Sequence, residues 1–378
     1  MSELMKRVAI QLTSTGGFYG AERTLVELAA YLAAEGWESH VIALEGQGAK
    51  EVLRRSAACG VKATAYTESG RLGIATLLRK LRATLSQYPQ AIVHSHGYKP
   101  DILLTLLGAP KRSGCLSTCH TWYSDTLKMK LAEHLDKRVL RGFDHVVAVS
   151  DEIRADLLAS GVPSGKVSRI DNGITVPSID PEARTAIRRE FQIAPEEQLI
   201  VQIGRLARSK RNELLLEAIA RLPSTIPVRV LLVGEGDERA ALAERASTLG
   251  IAPRILFAGY RSDVHRILGA ADLLALTSDK EGLPIILLEA MAIGCPIVAT
   301  AVGAVPTVLD HGESAWVIPS ENVNALASAL RDALENPILA RQRAARARII
   351  FESKFSRVVM GRRYLDLYEK IWQGRGWT

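Results

Sequence analysis

The sequence predicts an α/β chain built from two Rossmann-like, doubly wound parallel-sheet domains, and three observations point there. At 378 residues it is too long for one ordinary core. Near Val8 and again near Leu199, an apolar strand runs into a loop, then a helical pattern, then another strand, which is the opening unit of a doubly wound sheet. Its make-up, 47% hydrophobic and 24% charged, is that of a globular enzyme.

In the first half, the strand Val8 to Leu12 leads into the loop Thr13 to Gly20, which carries Gly16 and Gly17. A helix over Glu22 to Ala34 follows and stops at Gly36, a natural C-terminal cap. Strands are expected at His40 to Leu44, Ala91 to His94, Gly114 to Cys119 and Val146 to Val149. The second half repeats the order with the strand Leu199 to Ile203, the loop Gly204 to Lys210 and the helix Asn212 to Leu222. Its further strands are Val228 to Val233, Ile255 to Phe257, Asp272 to Leu276 and Pro296 to Ala299. The expected boundaries are a first domain over 1–175, a linker over 176–197, a second domain over 198–357, and a helical stretch over 358–378 that packs back on the first domain. Ligands of such sheets bind at the carboxyl ends of the strands, so two domains facing each other would enclose one ligand.

Charge and cysteines narrow the function classes. No apolar run reaches the ~18 residues of a membrane span, and Met1 to Arg7 lacks the layout of a secretory signal. Cys59, Cys115, Cys119 and Cys295 form no paired metal spacing, so they are expected to be reduced thiols of a cytoplasmic protein. The net charge is +7, and Arg71 to Arg141 alone holds 12 basic against 4 acidic residues. That local excess suits an anionic partner such as a membrane surface, or else an Arg-rich solvated face. Nucleic acid is not expected, because no finger, helix-turn-helix or stacking motif accompanies the charge. Within this stretch, Ser124 to Gly142 reads as a basic amphipathic helix. Leu127, Leu131, Leu135 and Val139 form its stripe, with Lys128, Lys130, Lys137, Arg138 and Arg141 around it.

Two constellations carry chemistry. Glu281 and Glu289 bracket Gly282, Leu283, Pro284 and Ile285 just after a strand. Pro284 suits a helix start, and the N–H groups of Gly282, Leu283 and Ile285 would then be free donors. Eight residues of helix separate the two carboxylates by ~12 Å, too far to flank one bond but suited to an elongated ligand. Arg205 and Lys210, on the loop after the second domain's first strand, can clamp a diphosphate. No G-x-G-x-x-G or Walker motif is present, against a dinucleotide cofactor or a P-loop. His94 and His96 point the same way on a strand, but no third ligand lies nearby in sequence, and cleft-lining or core histidines are expected rather than a metal site.

In order along the chain, these features resemble glycosyltransferase family 4, the retaining family with the GT-B fold. The resemblance runs over Gly16-Gly17 with Glu22, His94-Ser95-His96, Thr118-Cys119-His120 and Val149-Ser150 with Asn172-Gly173-Ile174. It continues through Gly204-Arg205-Leu206 with Lys210, Val233-Gly234-Glu235-Gly236, and the Glu281 to Glu289 signature. It departs at Arg211, where a Gly commonly follows the lysine, and at Phe18-Tyr19-Gly20, which enlarges the glycine loop. The resemblance implies that Glu281 and the adjoining amides hold the donor sugar, that Glu289 binds the ribose, and that Arg205 and Lys210 neutralise the diphosphate. It further implies that the Gly17 N–H reaches the diphosphate and that His120 lies over the sugar, with no metal or cofactor required. A hexosyl group would pass from a nucleoside-diphosphate sugar to a glycan or lipid-linked acceptor, at the inner face of a membrane if the basic helix docks there. A sugar-nucleotide epimerase of the same fold and a non-catalytic nucleotide-sugar binder are the rival expectations.

Overall fold

The computed structural model describes residues 6–14, 20–44, 46, 48–67, 73–120, 127–175 and 180–377, with backbone only for 127–129. The chain divides into two compact units, Met1–Thr175 with Ser356–Thr378, and Val176–Phe355.

Unit 1 runs β1 (Val8–Ser14), α1 (Gly20–Ala34), β2 (Glu38–Leu44), α2 (Ala49–Ala58), β3 (Lys62–Tyr66), α3 (Gly73–Gln87) and β4 (Ile92–His96). It continues with α4 (Tyr98–Leu106), β5 (Gly114–Cys119), α5 (Leu127–Val139), β6 (His145–Ala148), α6 (Asp151–Ala159) and β7 (Val167–Arg169). Its strands pair in parallel in the order β3-β2-β1-β4-β5-β6-β7. The winding reverses between β1 and β4, the switch point where such sheets take their ligands.

Side-chain alternation gives the sheet two faces. Val8, Ile10, Leu12 and Val93 enter the core under α3 and α4, with Leu77, Leu81, Leu103 and Leu104. Ala9, Ile92 and Leu116 enter the opposite core with Leu28 and Leu32 of α1.

Unit 2 runs α7 (Ala183–Glu190), β8 (Gln198–Ile203), α8 (Asn212–Ala220), β9 (Val228–Val233), α9 (Arg239–Thr248), β10 (Ile255–Gly259), α10 (Val264–Ala270) and β11 (Leu273–Leu276). Then come α11 (Ile285–Ile293), β12 (Ile297–Thr300), α12 (Val305–Val308), β13 (Trp316–Ile318), α13 (Val323–Glu335) and α14 (Pro337–Lys354). Its parallel order is β10-β9-β8-β11-β12-β13, so the reversal lies between β8 and β11.

The span read from sequence as a linker contains α7. Ala183 and Ile187 bury one stripe of it, while Arg188 reaches Asp272 at 3.4 Å and the Ala194 carbonyl at 2.6 Å. Two turns offer a single i, i+4 repeat, too little for periodicity to be visible.

The chain then returns to unit 1 as α15 (Arg357–Gly374). The Ser356 hydroxyl caps it by accepting the Val359 N–H at 3.4 Å. Met360, Tyr364, Leu367, Tyr368, Ile371 and Trp372 bury against the second core of unit 1. α15 crosses α1 closely: a Cβ on Gly361 would stand 2.3 Å from Cγ of Tyr31, so only glycine fits. Beyond the helix, Arg375 donates to Asp144 at 2.6 Å and to the Pro110 carbonyl at 2.7 Å. Among the described residues no helix is long and apolar enough to cross a membrane.

Candidate functional site

The reversal point of unit 2 gathers most of the residues singled out in the sequence. The loop after β8 carries Arg205 and Lys210, and the turn after β11 carries Glu281. Lys210 Nζ pairs with Glu281 Oε1 at 2.5 Å, and the Ser278 hydroxyl donates to the same oxygen at 2.7 Å. Glu281 is the more buried partner, with 10% of its side chain exposed against 31% for Lys210.

Hydrogen bonds to backbone carbonyls hold the two segments and the neighbouring strand together. The Asp279 N–H donates to the Ser209 carbonyl at 3.1 Å, the Thr277 hydroxyl to the Lys210 carbonyl at 2.9 Å, and the Thr300 hydroxyl to the Ser278 carbonyl at 2.6 Å. Sequence reasoning missed Thr277 and Ser278, whose hydroxyls orient the charged pair.

A third strand end supports the loop. The Gly204 N–H donates to Val233 at 2.9 Å and the Leu206 N–H to Glu235 at 2.8 Å. Gly234, at φ 135°, lies so close that a Cβ there would sit 1.9 Å from the Gly204 carbonyl oxygen. This contact between backbones explains the glycine after β9 and holds the Arg205 segment rigid. Arg205 itself is exposed and makes no ion pair with the described residues. Arg208 on the same loop is likewise exposed, so both arginines present charge toward solvent.

Pro284 sits at the N-cap of α11, one position before the helix rather than inside its first turn. Gly282 and Leu283 therefore lie in the entering turn, and Ile285 opens the helix with the unsatisfied N–H groups of any helix start. Gly282 also accepts the Ala304 N–H at 3.0 Å. Glu289 is buried, 5% exposed, unlike an ordinary surface carboxylate.

Arg211 has φ 50° and ψ 41° at the N-cap of α8. This left-handed conformation disfavours a Cβ, so a glycine would sit here without strain. Arg211 holds it with ion pairs to Glu213 at 3.3 Å and Glu321 at 3.1 Å.

The structure places His120 in unit 1, just past β5, half-buried. Gly17 lies outside the described residues. His96 Nδ1 stands 3.3 Å from His120 Nε2, and His96 Nε2 stands 2.9 Å from Gln11 Oε1. The Gln11 amide donates to the Tyr368 hydroxyl at 2.7 Å. His94 meets Tyr368 at 2.9 Å and Thr118 at 2.7 Å, and Thr118 meets Tyr364 at 2.8 Å. All four ring nitrogens of His94 and His96 are thus engaged by other side chains. Burial pushes His120 down to about 4, and burial with neighbouring histidines pushes His94 and His96 well below the usual range. The cluster is neutral at ordinary pH. Gln11 was legible only as an isolated polar residue in an apolar strand.

The stretch read as a basic amphipathic helix forms α5, with Ser124 and the Leu127 and Lys128 side chains outside the described part. Its stripe does not enter a core. Leu131 is 69% exposed and Leu135 44%, while among the described side chains of the helix Asp136 is the buried one. Lys137, expected on the solvent side, is instead held by Glu133 and Asp156, each at 2.7 Å.

Comparisons with known proteins bear on the family and the fold. The model described as Glycosyl transferases group 1 matches residues 183–349, and the one described as Glycosyltransferase Family 4 matches residues 18–176. N-acetyl-alpha-D-glucosaminyl L-malate synthase of Bacillus anthracis is 28% identical over 60% of this chain and 60% of its own length. D-inositol 3-phosphate glycosyltransferase of Mycobacteroides abscessus is 33% identical over 50% of this chain and 44% of its own. The chain thus spans about half the length of these curated relatives. In fold it is similar to Anabaena HepE, solved in complex with UDP, with a TM-score of 0.83 at 22% identity over 97% of this chain and 100% of that one. It is also similar to sucrose-phosphate synthase of Thermosynechococcus elongatus, with a TM-score of 0.81 at 19% identity over 97% and 100%.

Proposed function

The chain belongs to the glycosyltransferases of the family 4 type, with the GT-B fold, and on that premise we propose that it moves a hexosyl group, with retention, from a nucleoside-diphosphate sugar to a glycan or lipid-linked acceptor. The observation that carries this reading is the Lys210–Glu281 pair at the switch point of unit 2, beside exposed Arg205 and the start of α11. Arg205 and Lys210 take the diphosphate, and Glu281 with the amides of Gly282, Leu283 and Ile285 takes sugar hydroxyls. Glu289 takes the ribose, and His120 contacts the sugar.

In the reaction the bond from the anomeric carbon to the diphosphate oxygen breaks, and a bond to the acceptor oxygen forms on the same face. The acceptor's proton passes to the departing phosphate. Charge develops on that phosphate, and fixed cations stabilise it. Glu281, already an ion-pair partner, suits hydrogen-bond acceptance better than proton abstraction.

A thermal-shift screen of UDP, GDP and their sugars tests the donor assignment. UDP is the first candidate, because HepE was solved with it. A nucleoside diphosphate at a hundred times its Kd adds about 2.7 kcal/mol. Transfer assays follow, with and without chelator, and activity persists in chelator because the protein supplies the positive charge. No shift with any nucleoside diphosphate, or a strict need for added divalent ion, sinks this reading.

We further place the acceptor side of unit 1 on an anionic bilayer. Ile74 of α3, Tyr98 and Leu106 of α4, and Leu131 and Leu135 of α5 are large apolar side chains left exposed. α3 and α4 bury their other sides in one core, and α5 packs on α4. Exposed Arg79, Lys80, Arg82, Lys130 and Arg138 accompany them. Each basic residue at such a surface contributes about 1 kcal/mol, screened by salt. Co-sedimentation should occur with anionic and not neutral liposomes and weaken with salt. Binding to neither, or equal salt-insensitive binding to both, removes the membrane assignment.

A further inference from the structure

We infer that Gln11 and Tyr368 are positioning residues that set which ring nitrogen of His120 carries the proton, and so how that histidine meets the donor sugar. This rests on the transfer reading above.

The order of the hydrogen-bond chain is decided at Gln11. Its carbonyl oxygen can only accept and its amide nitrogen can only donate. Oε1 faces His96 Nε2 at 2.9 Å, so His96 carries its proton on Nε2 and presents Nδ1 as an acceptor. That Nδ1 faces His120 Nε2 at 3.3 Å, so His120 donates from Nε2 and has Nδ1 as its acceptor nitrogen.

The other half of the chain runs consistently. The Gln11 amide donates to the Tyr368 hydroxyl at 2.7 Å, and Tyr368 gives its own proton to His94 Nδ1 at 2.9 Å. His94 then donates from Nε2 to Thr118 at 2.7 Å. Each bond polarises the next, so amide orientation and histidine tautomer form a single variable. Turning the Gln11 amide over would reverse every donor as far as His120.

The fold puts these groups on one side of the sheet by parity. Gln11 is two residues from Ala9, His94 two from Ile92, and Thr118 two from Leu116, and those apolar neighbours lie in the core shared with α15. Tyr364 and Tyr368, four apart on α15, meet that face. The two tyrosine hydroxyls of the chain, Tyr368 within it and Tyr364 at its end, therefore arrive from a segment 357–374, far along the sequence from His120.

The test is ¹⁵N NMR of selectively labelled histidine, with the His120 signals assigned by their loss in His120→Gln. In the unaltered protein His120 should show its proton on Nε2. Tyr368→Phe removes the hydroxyl that joins the Gln11 amide to His94, and a second tautomer should appear at His120. Tyr364→Phe removes an equally buried hydroxyl from the same helix at the far end of the chain, and it should leave His120 unchanged. An even mixture of tautomers halves the competent form, so kcat of Tyr368→Phe should fall roughly twofold with donor KM unaltered.

A proton on Nδ1 in the unaltered protein overturns the proposal without recourse to any variant. So does an unchanged His120 spectrum in Tyr368→Phe, or an equal change in Tyr364→Phe. A changed tautomer with unchanged kcat would leave the chain standing and remove His120 from the transfer. Loss of nucleotide binding alone would strike the donor assignment and not the tautomer.

Discussion

The strand ends of the two units solve different electrostatic problems on the same kind of sheet. In unit 2 the residues at the switch point carry full charges: Lys210 and Glu281 paired at 2.5 Å, with Arg205 exposed beside them. In unit 1 the polar groups along β1, β4 and β5 are uncharged, buried and bonded to one another from His96 to Tyr364. Charged groups near solvent can trade partners when an anion arrives. A neutral buried chain holds a fixed pattern of donors and acceptors, because leaving one group unpaired in the interior is costly.

The largest effect expected from this contrast lies in unit 2. Arg205→Ala or Lys210→Ala should remove about 2–4 kcal/mol of transition-state stabilisation, slowing transfer by roughly two to three orders of magnitude. The fold should survive in both, with Lys210→Ala the less stable because Glu281 loses its cation. Steady-state kinetics beside thermal melts separates the two consequences. Near-normal turnover in both variants would place the phosphate elsewhere.

Acid should act first on unit 1. Unfolded histidines titrate near 6.5, whereas burial holds His120 and His145 near 4, and His94 and His96 are also depressed. Below the unfolded value the unfolded chain binds protons that folded unit 1 refuses. The contribution of these histidines is therefore intact above about pH 6.5 and falls as pH drops toward 4, by about 1–3 kcal/mol each. Asp101, whose carboxyl burial pushes well above the usual range, works in the opposite direction. The histidines of unit 2, His265 and His311, are half-buried and exposed. Hydrogen exchange at pH 7 and pH 5 should show unit 1 amides losing protection before those of unit 2, and the opposite order would contradict the neutral-cluster account.

The smallest effect concerns Arg211. Glycine there relieves the left-handed backbone by about 1–2 kcal/mol, but it loses two exposed ion pairs worth about 0–1 kcal/mol each and loosens the unfolded chain. Arg211→Gly should thus change stability by no more than about 1 kcal/mol and leave turnover within roughly twofold. A loss of activity on the scale of Lys210→Ala would show that Arg211 touches the ligand.

Where local pattern and physical requirement coincide, the sequence was readable. Leu273–Leu276 is an unbroken apolar run, as a strand buried on both faces must be, and the two-sheet fold follows from such runs. β3 escaped notice because Lys62–Tyr66 is an edge strand with little burial, and β7 and β13 because three residues carry no period. In the candidate site, Arg205, Lys210 and Glu281 stood out because charge directly after a strand needs a reason. Ser278 and Thr277 did not, since hydroxyls in turns are common. Gln11 and Tyr368 could not be joined, because no local pattern records which helix covers which face of a sheet.

The place of α15 in the chain has a consequence for biosynthesis. Met360, Tyr364, Leu367, Tyr368, Ile371 and Trp372 complete a core whose other buried residues run only up to Ile170. All of Val176–Phe355 must be translated between them. At about 5–20 residues per second that interval is on the order of ten to forty seconds. During it the ribosome carries a first sheet with one face uncovered while the second unit is free to close. Nascent chains stalled before position 357 should therefore be the species that chaperones hold longest.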